Sequence, residues 1–386
     1  MSNFIKWVFL PASGAVQKLI VICLLVSLSI GVSAQEISRI FIADEPIDSM
    51  AKGKVLVAVD NLNFFKNNEY KSDYVEGYTL TGAWVRPKLL YYPDSKLRLE
   101  LGGEVLAYNG SDEYKLYPWF SALYIPIKNL FFRMGNLNQD QNHGLSEPMM
   151  DSEHFLTDKP EAGIQAKYEN HNLKADLWID WQKMIFKGDP FKEQFVFGVL
   201  SELTLFKTET LELSLPLAFN GMHQGGEIDS AQGLATTCLT ISEGFKLQKR
   251  LGGSLLKSCF LESTILQSAY PEDYTALPGN YGTAFHLRAG ISSKYGNIAT
   301  GYWQGSNFYT PLGMPLFQNG AAGRADAITL NRLWTFAYRF DRKIFNQSRF
   351  GFNFDLFYNP LLQQTSNSAA LYLVINLSFL CRKKAA

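Results

Sequence analysis

Apolar and polar side chains alternate with a period of two along nearly all of this chain. In "KLRLELGGEVLAY" (96–108), Leu97, Leu99, Leu101, Val105 and Ala107 fall on odd positions, while Arg98, Glu100 and Glu104 fall on even ones. In "NLKADLWIDWQ", Leu173, Ala175, Leu177, Ile179 and Trp181 oppose Lys174, Asp176, Trp178, Asp180 and Gln182. In "SRFGFNFDLFY", Phe350, Phe352, Phe354 and Leu356 oppose Arg349, Asn353 and Asp355. In "TAFHLRAGIS", Phe285, Leu287 and Ile291 oppose His286 and Arg288. Such alternation is the signature of strands whose two faces meet different surroundings.

The pattern predicts sixteen strands, near 53–64, 75–91, 96–108, 115–126, 129–138, 161–169, 172–182, 194–206, 209–220, 234–247, 253–267, 282–295, 297–308, 327–340, 347–359 and 368–380. Turn residues such as "YPDSK", "ENHN", "KTET" and "KYGN" separate them. Connections after even strands are short. Those after odd strands are longer, at 65–74, 139–160, 183–193, 221–233, 268–281 and 309–326, with 109–114 and 360–367 the weakest of that set. A soluble sandwich has no reason to alternate its loops in this way. A transmembrane antiparallel β-barrel of about sixteen strands does, with short periplasmic turns and longer extracellular loops.

An arginine facing mid-bilayer from a barrel wall costs about 2–4 kcal/mol. The charged parity must therefore face the lumen, and Arg98, Glu100, Glu104, Lys174, Asp176, Asp180, Arg288, Arg349 and Asp355 become candidates for lining a constriction. Both signs are present, so opposite charges pair across the wall before they steer a solute, and weak selectivity is expected. Two strands sort imperfectly. Lys257 and Glu262 lie on opposite parities, which calls for a bulge or for one charge beyond the hydrocarbon band. Arg332 is tolerable only near the outer rim.

Residues 1–34 read as a signal peptide, with Lys6 and Lys18 ahead of "LIVICLLVSLSIGVSA". A periplasmic segment over 35–52, the barrel over 53–381 and a tail over 382–386 complete the expected organisation. No later stretch approaches the roughly 20 apolar residues of a membrane helix. Lys+Arg and Asp+Glu number 36 each, so nothing suggests nucleic-acid binding. Aromatic residues make up 14%, as suits a barrel with aromatic girdles. Beyond Cys23, the chain holds Cys238, Cys259 and Cys381, a spacing that builds neither a disulfide framework nor a zinc site. A Cys238–Cys259 bridge between sequential strands stays open.

The longest loop, "QDQNHGLSEPMMDSEHFLTDKPE" (139–161), either folds into the pore or covers the outside. Within it "SEPMMDSEHFL" could form a short helix capped by Ser146. His143, Glu147, Asp151, Glu153 and His154 match no strong metal motif. "GYWQGSNFYTPLGMPLF" (301–317) has the residues either for sugar stacking or for an interfacial girdle and loop packing. No nucleophile elbow and no zinc-helix motif is present. The expectation is therefore no enzyme, no catalytic residue, no metal and no cofactor.

The stretches "DNLNFFKNNEYKSDYVEGYTL", "KLLYYPDSKLRLELG", "GLSEPMMDSEHFLTDKPEAGIQAKY", "WQKMIFKGDPFKEQF" and "GYWQGSNFYTPLG" resemble an uncharacterised porin-like outer-membrane β-barrel family of Bacteroidota. The resemblance runs over roughly 55–380 and implies an outer-membrane barrel without implying a substrate. Barrels of this kind finish on an aromatic residue that the barrel-assembly machinery reads; here Phe379 is followed by "LCRKKAA". The sequence thus points to passive diffusion of small polar solutes through a mixed-charge lumen. The alternative is a closed barrel with a binding or structural role for its outer loops. The expected partners are outer-membrane lipid, small polar solutes, the assembly machinery and possibly further copies of the chain.

Overall fold

A computed structural model describes residues 52–72, 75–137, 142–272, 274–324, 326–345 and 348–383. The signal-peptide reading and all of the 35–52 segment but Lys52 lie outside the described residues. Sixteen strands form one closed antiparallel barrel. They are β1 (Lys54–Ser72), β2 (Val75–Asp94), β3 (Leu97–Tyr108), β4 (Tyr114–Tyr124), β5 (Leu130–Asn136), β6 (Ala162–Glu169), β7 (Leu173–Lys183) and β8 (Gln194–Lys207). Then come β9 (Leu211–Gln224), β10 (Thr236–Arg250), β11 (Leu256–Ala269), β12 (Tyr281–Ser293), β13 (Gly296–Ser306), β14 (Leu330–Phe345), β15 (Ser348–Asn359) and β16 (Gln364–Lys383). Each strand pairs with its sequence neighbours, and β16 returns to β1 over a register running from Lys54↔Lys383 to Glu69↔Asn367. Closure leaves no free edge in the hydrocarbon layer, where unpaired backbone groups would find no water.

The sides sort as expected. Leu101, Leu177, Phe285, Ile291, Phe350, Leu371 and Phe379 are exposed on the outer wall, and Arg98, Glu100, Glu104, Asp176 and Asp180 are buried inside. The two imperfect strands have local answers. The β11–β12 register shifts between Leu256 and Ser258, so a bulge at Lys257 resets the parity. Arg332 is the third residue of β14, beside the outer loop, and its Nε donates to Gln304 Oε1 at 2.9 Å.

Three expectations change. The expected loop at 65–74 is mostly strand, because Asn67, Asn68 and Glu69 keep partners on β16. Likewise β16 begins at Gln364, which shortens the expected 360–367 connection. Cys238 and Cys259 are free; Cys238 lies beside Leu239, which pairs with Ala269, whereas Cys259 pairs with Lys249 near the opposite end of the hairpin.

The lumen is not uniformly wet. The described parts of two outer loops, 142–161 and 307–324, fold inward and meet. Asp151 N–H donates to Leu312 O at 2.8 Å, Met314 N–H to Glu147 O at 2.8 Å, and Gln318 Nε2 to Pro148 O at 3.2 Å. Gly313 makes the contact possible: a Cβ there would lie 2.0 Å from the Pro148 oxygen. Leu145, Met149, Met150, Phe308, Met314, Leu316 and Phe317 of the loops pack with Trp178, Trp303, Leu333 and Phe357 of the wall into one apolar cluster. Of the aromatic stretch 301–317, Trp303, Phe308, Tyr309 and Phe317 are therefore buried inside the barrel, while Tyr302 lies on the outer wall against exposed Trp334 at 5.0 Å. The helix expected from Ser146 onward is confined to α1 (His154–Thr157). Residues before it make a turn on Ser146 O and then leave to bond the other loop.

Candidate functional site

The lumen wall of β1–β5 carries a dense charge network. Glu100 lies 2.6 Å from the Arg98 guanidinium, 3.4 Å from Arg133 and 3.4 Å from Lys88, and it accepts from Trp119 Nε1 at 3.1 Å. Lys88 also reaches Asp60 at 2.9 Å, and Arg86 pairs with Glu104 at 2.5 Å while stacking over Trp119 at 3.7 Å. Arg86, Lys88 and Arg133 escaped the sequence selection. The signal for two of them is plain in "AWVRPKLLYY", where they share parity with buried Trp84, Leu90 and Tyr92.

The other selected residues scatter. Asp355 pairs with Arg339 at 2.6 Å, and Arg288 with Glu262 at 3.6 Å. Arg349 pairs with Asp341. Asp180 accepts from Ala162 N–H at 2.7 Å. Lys174 sits beside the short 170–172 turn, more than half exposed, 3.7 Å from Glu169. It lies at the periplasmic rim, away from any constriction, because it is the second residue of its strand.

Asp176 belongs to a different device. His143, from the long loop, places Nδ1 3.1 Å from Asp176 and Nε2 2.8 Å from Glu161, with its ring stacked on Trp178 at 3.9 Å. Gln165 and Lys167 complete the surroundings of Asp176, at 3.0 and 3.5 Å. Burial opposes charge on His143, but Glu161 and Asp176 outweigh it and push its pKa up to about 9. The ring is an imidazolium that pins the loop to the wall. Nearby, burial and then the neighbouring Asp151 push the Glu147 carboxyl up to about 7. Lys66 and Asn68 of β1 both reach Glu153, and Ser368 Oγ donates to Asn68 Oδ1 at 2.7 Å. Beneath the loops remains a cavity of about 260 Å³, bordered by Lys66, Glu202, Glu262, Arg288, Arg339 and Asp355.

Among the described residues no group of three or more His, Cys, Asp or Glu side chains is arranged to hold a metal. Three of the four remaining histidines differ in what they touch. His154 of α1 pairs with Asp158 at 2.8 Å and places Nε2 3.3 Å from the Leu312 carbonyl oxygen. His286 lies among Trp303 and Phe317. His223 meets the Thr237 hydroxyl at 2.8 Å.

Comparison with solved structures gives the same architecture. Acinetobacter baumannii OccAB1 matches with a TM-score of 0.50 at 10% identity, covering 87% of this chain and 100% of that one. Pseudomonas aeruginosa OccK2 (OpdF), solved in complex with glucuronate, matches at 0.48 and 11%, covering 85% and 99%. Vibrio cholerae OmpT, an outer membrane protein, matches at 0.46 and 9%, covering 84% and 100%. These likenesses concern the fold alone. No curated protein matches the chain. Residues 47–384 match the model of a family described as lipid A 3'-O-deacylase-type. That match overturns the expectation that the chain belongs with no enzyme, which rested on missing sequence motifs that a barrel has no need to carry. Through a match that takes in all sixteen strands and both inward loops, this chain belongs to the lipid A 3'-O-deacylase-type family.

Proposed function

We propose that this barrel stands in the outer membrane and hydrolyses O-linked acyl esters of a lipid A-class glycolipid. The family match over 47–384 carries the reading. The packed loops support it: with the outer lumen occupied by Met149, Phe308 and Phe317, the surfaces offered to a lipid are the rim and the outer wall. The reaction consumes one water and yields a free fatty acid and a sugar hydroxyl. Expression in a Gram-negative host, followed by mass spectrometry of extracted lipid A, is the test. The expected result is a species short of one acyl chain; an unchanged profile with folded barrel in the outer membrane overturns the reading.

A second reading, passive diffusion of small polar solutes, draws on the charge-lined cavity beneath the loops. Its pairs alternate in sign, Arg339 with Asp355 and Arg288 with Glu262, so passage would be only weakly ion-selective. Planar-bilayer recordings test it: stepwise current supports passage, and its absence from folded protein removes it.

A further inference from the structure

Arg332 stands on the lipid-facing side of β14. Its chain neighbours Asn331 and Leu333 are buried in the barrel, and Trp334, on its own parity, is exposed. It is the third residue of its strand, so it meets the outer rim rather than the middle of the bilayer. Directly across on β13 is Gln304, whose neighbours Trp303 and Gly305 are buried. One step deeper, Tyr302 faces Trp334 with ring centroids 5.0 Å apart. The exposed ring of Phe285 on β12 is the other cross-strand partner of Gln304.

The guanidinium is held along one edge. Its Nε donates to Gln304 Oε1 at 2.9 Å, and the Tyr302 hydroxyl donates to the same oxygen at 3.0 Å. The N–H groups on its two Nη atoms meet no acceptor among the described residues. The β14–β15 register begins one step deeper, at Trp334↔Tyr358, so no ladder partner stands on the far side of Arg332. The lumenal arginines differ: Arg86, Arg98, Arg133, Arg288, Arg339 and Arg349 each face a carboxylate. Among the described residues Arg332 has none within ion-pair distance.

A cation on the lipid face is costly in hydrocarbon but is tolerated at the interface, where anionic headgroups neutralise it. The planar fork of a guanidinium matches two oxygens of one phosphate. Directly beneath lie the exposed rings of Trp334 and Tyr358 on the apolar wall. A soluble acidic partner has no use for rings at that depth. An amphiphile whose phosphate continues downward into acyl chains uses both. We propose that Arg332, held by Gln304 above the Tyr302–Trp334 pair, is a docking site for a phosphate of a lipid A-class glycolipid in the outer leaflet. The site rests on the outer-membrane part of the proposed function and not on ester hydrolysis. It holds a lipid against the wall and takes no part in bond breaking.

The test uses the purified full chain in detergent micelles, titrated with diphosphoryl lipid A. Native mass spectrometry reads bound lipid per barrel, and heat-modifiable migration checks folding. Arg332→Gln is expected to weaken binding at least about tenfold, the scale of one charge-assisted pair. Arg332→Lys keeps the charge without the fork and is expected to fall between. Lys294→Gln, in the turn between β12 and β13 at the opposite end of the wall, is expected to match wild type. Dephosphorylated lipid A is expected to bind wild type no better than Arg332→Gln, and a large excess of inorganic phosphate is expected not to displace the lipid. Unchanged affinity in Arg332→Gln, or equal wild-type affinity for the dephosphorylated lipid, overturns the site. Displacement by inorganic phosphate marks a simple anion site and overturns the docking of a lipid. If Arg332→Gln fails to fold, Arg332→Lys decides, and binding equal to wild type overturns the fork. Hydrolysis appears in the same spectra as loss of one acyl mass. Bound lipid of intact mass therefore keeps the site while counting against hydrolysis, and acyl loss with no dependence on Arg332 does the reverse.

Discussion

Replacing His143 with asparagine isolates the imidazolium clamp. His143 sits at φ +52° and Gly144 at φ +78°, two successive left-handed residues that turn the long loop into the lumen. Asparagine tolerates that conformation, so the substitution removes the ring without straining the backbone. A pKa of about 9 against the ordinary 6.5 corresponds to about 3 kcal/mol of preference for the charged ring in the seated loop. Losing it raises the population of released loop roughly a hundredfold. The sign with pH follows from the same clamp. The seated loop binds the His143 proton more tightly, so its contribution is complete below about pH 6.5 and disappears as pH rises through about 9. Glu147 works in the same direction at lower pH, since the seated loop favours the neutral carboxyl and loses stability between its ordinary 4.5 and about 7. Limited proteolysis of the barrel in vesicles, with cleavage inside 142–160 mapped by mass spectrometry, reads the released fraction. Wild type should be protected at pH 6.5 and increasingly cut as pH passes 9, whereas His143→Asn should be cut already at pH 7. A variant as resistant as wild type at pH 7, or a wild-type profile flat from pH 6.5 to 10, refutes the clamp.

Glu100→Gln leaves Arg98, Arg133 and Lys88 buried around a neutral group and should destabilise the barrel by about 3–5 kcal/mol, read as a lowered unfolding midpoint in detergent. Leu101→Arg, one position away on the outer wall, should cost about 2–4 kcal/mol by the same assay, and an equal or smaller loss than at a rim position such as Tyr114 would contradict the lipid-facing sorting. Gly313→Ala has no room for its methyl against Pro148 O and should part the two inward loops, raising proteolysis of both while leaving the strands paired. Phe317→Ala removes a buried ring from the apolar cluster and should increase single-channel conductance, if current is observed, beyond that of wild type.

The barrel was legible because lipid and lumen impose opposite demands on alternate residues. A run such as Leu97–Arg98–Leu99–Glu100 admits one orientation, and repetition of that constraint through sixteen crossings fixes strand number and facing. The lumen contents were not legible. Met149, Phe308 and Phe317 are apolar residues in polar loops, and only contact with Trp178, Trp303 and Phe357, distant in sequence, shows that they face each other rather than lipid. The paired charges were half visible: parity placed Glu100 inside, but its partners Lys88 and Arg133 come from other strands through register.

The join between β1 and β16 has a consequence for biogenesis. Its members, such as Asn68 and Ser368, stand 300 positions apart, so the first strand made must wait for the last. Until the twenty residues of β16 emerge, the growing sheet carries two raw borders, each a template for a foreign strand. Shortening this polypeptide by one strand would therefore yield an adhesive ribbon prone to clumping, rather than a narrower cylinder.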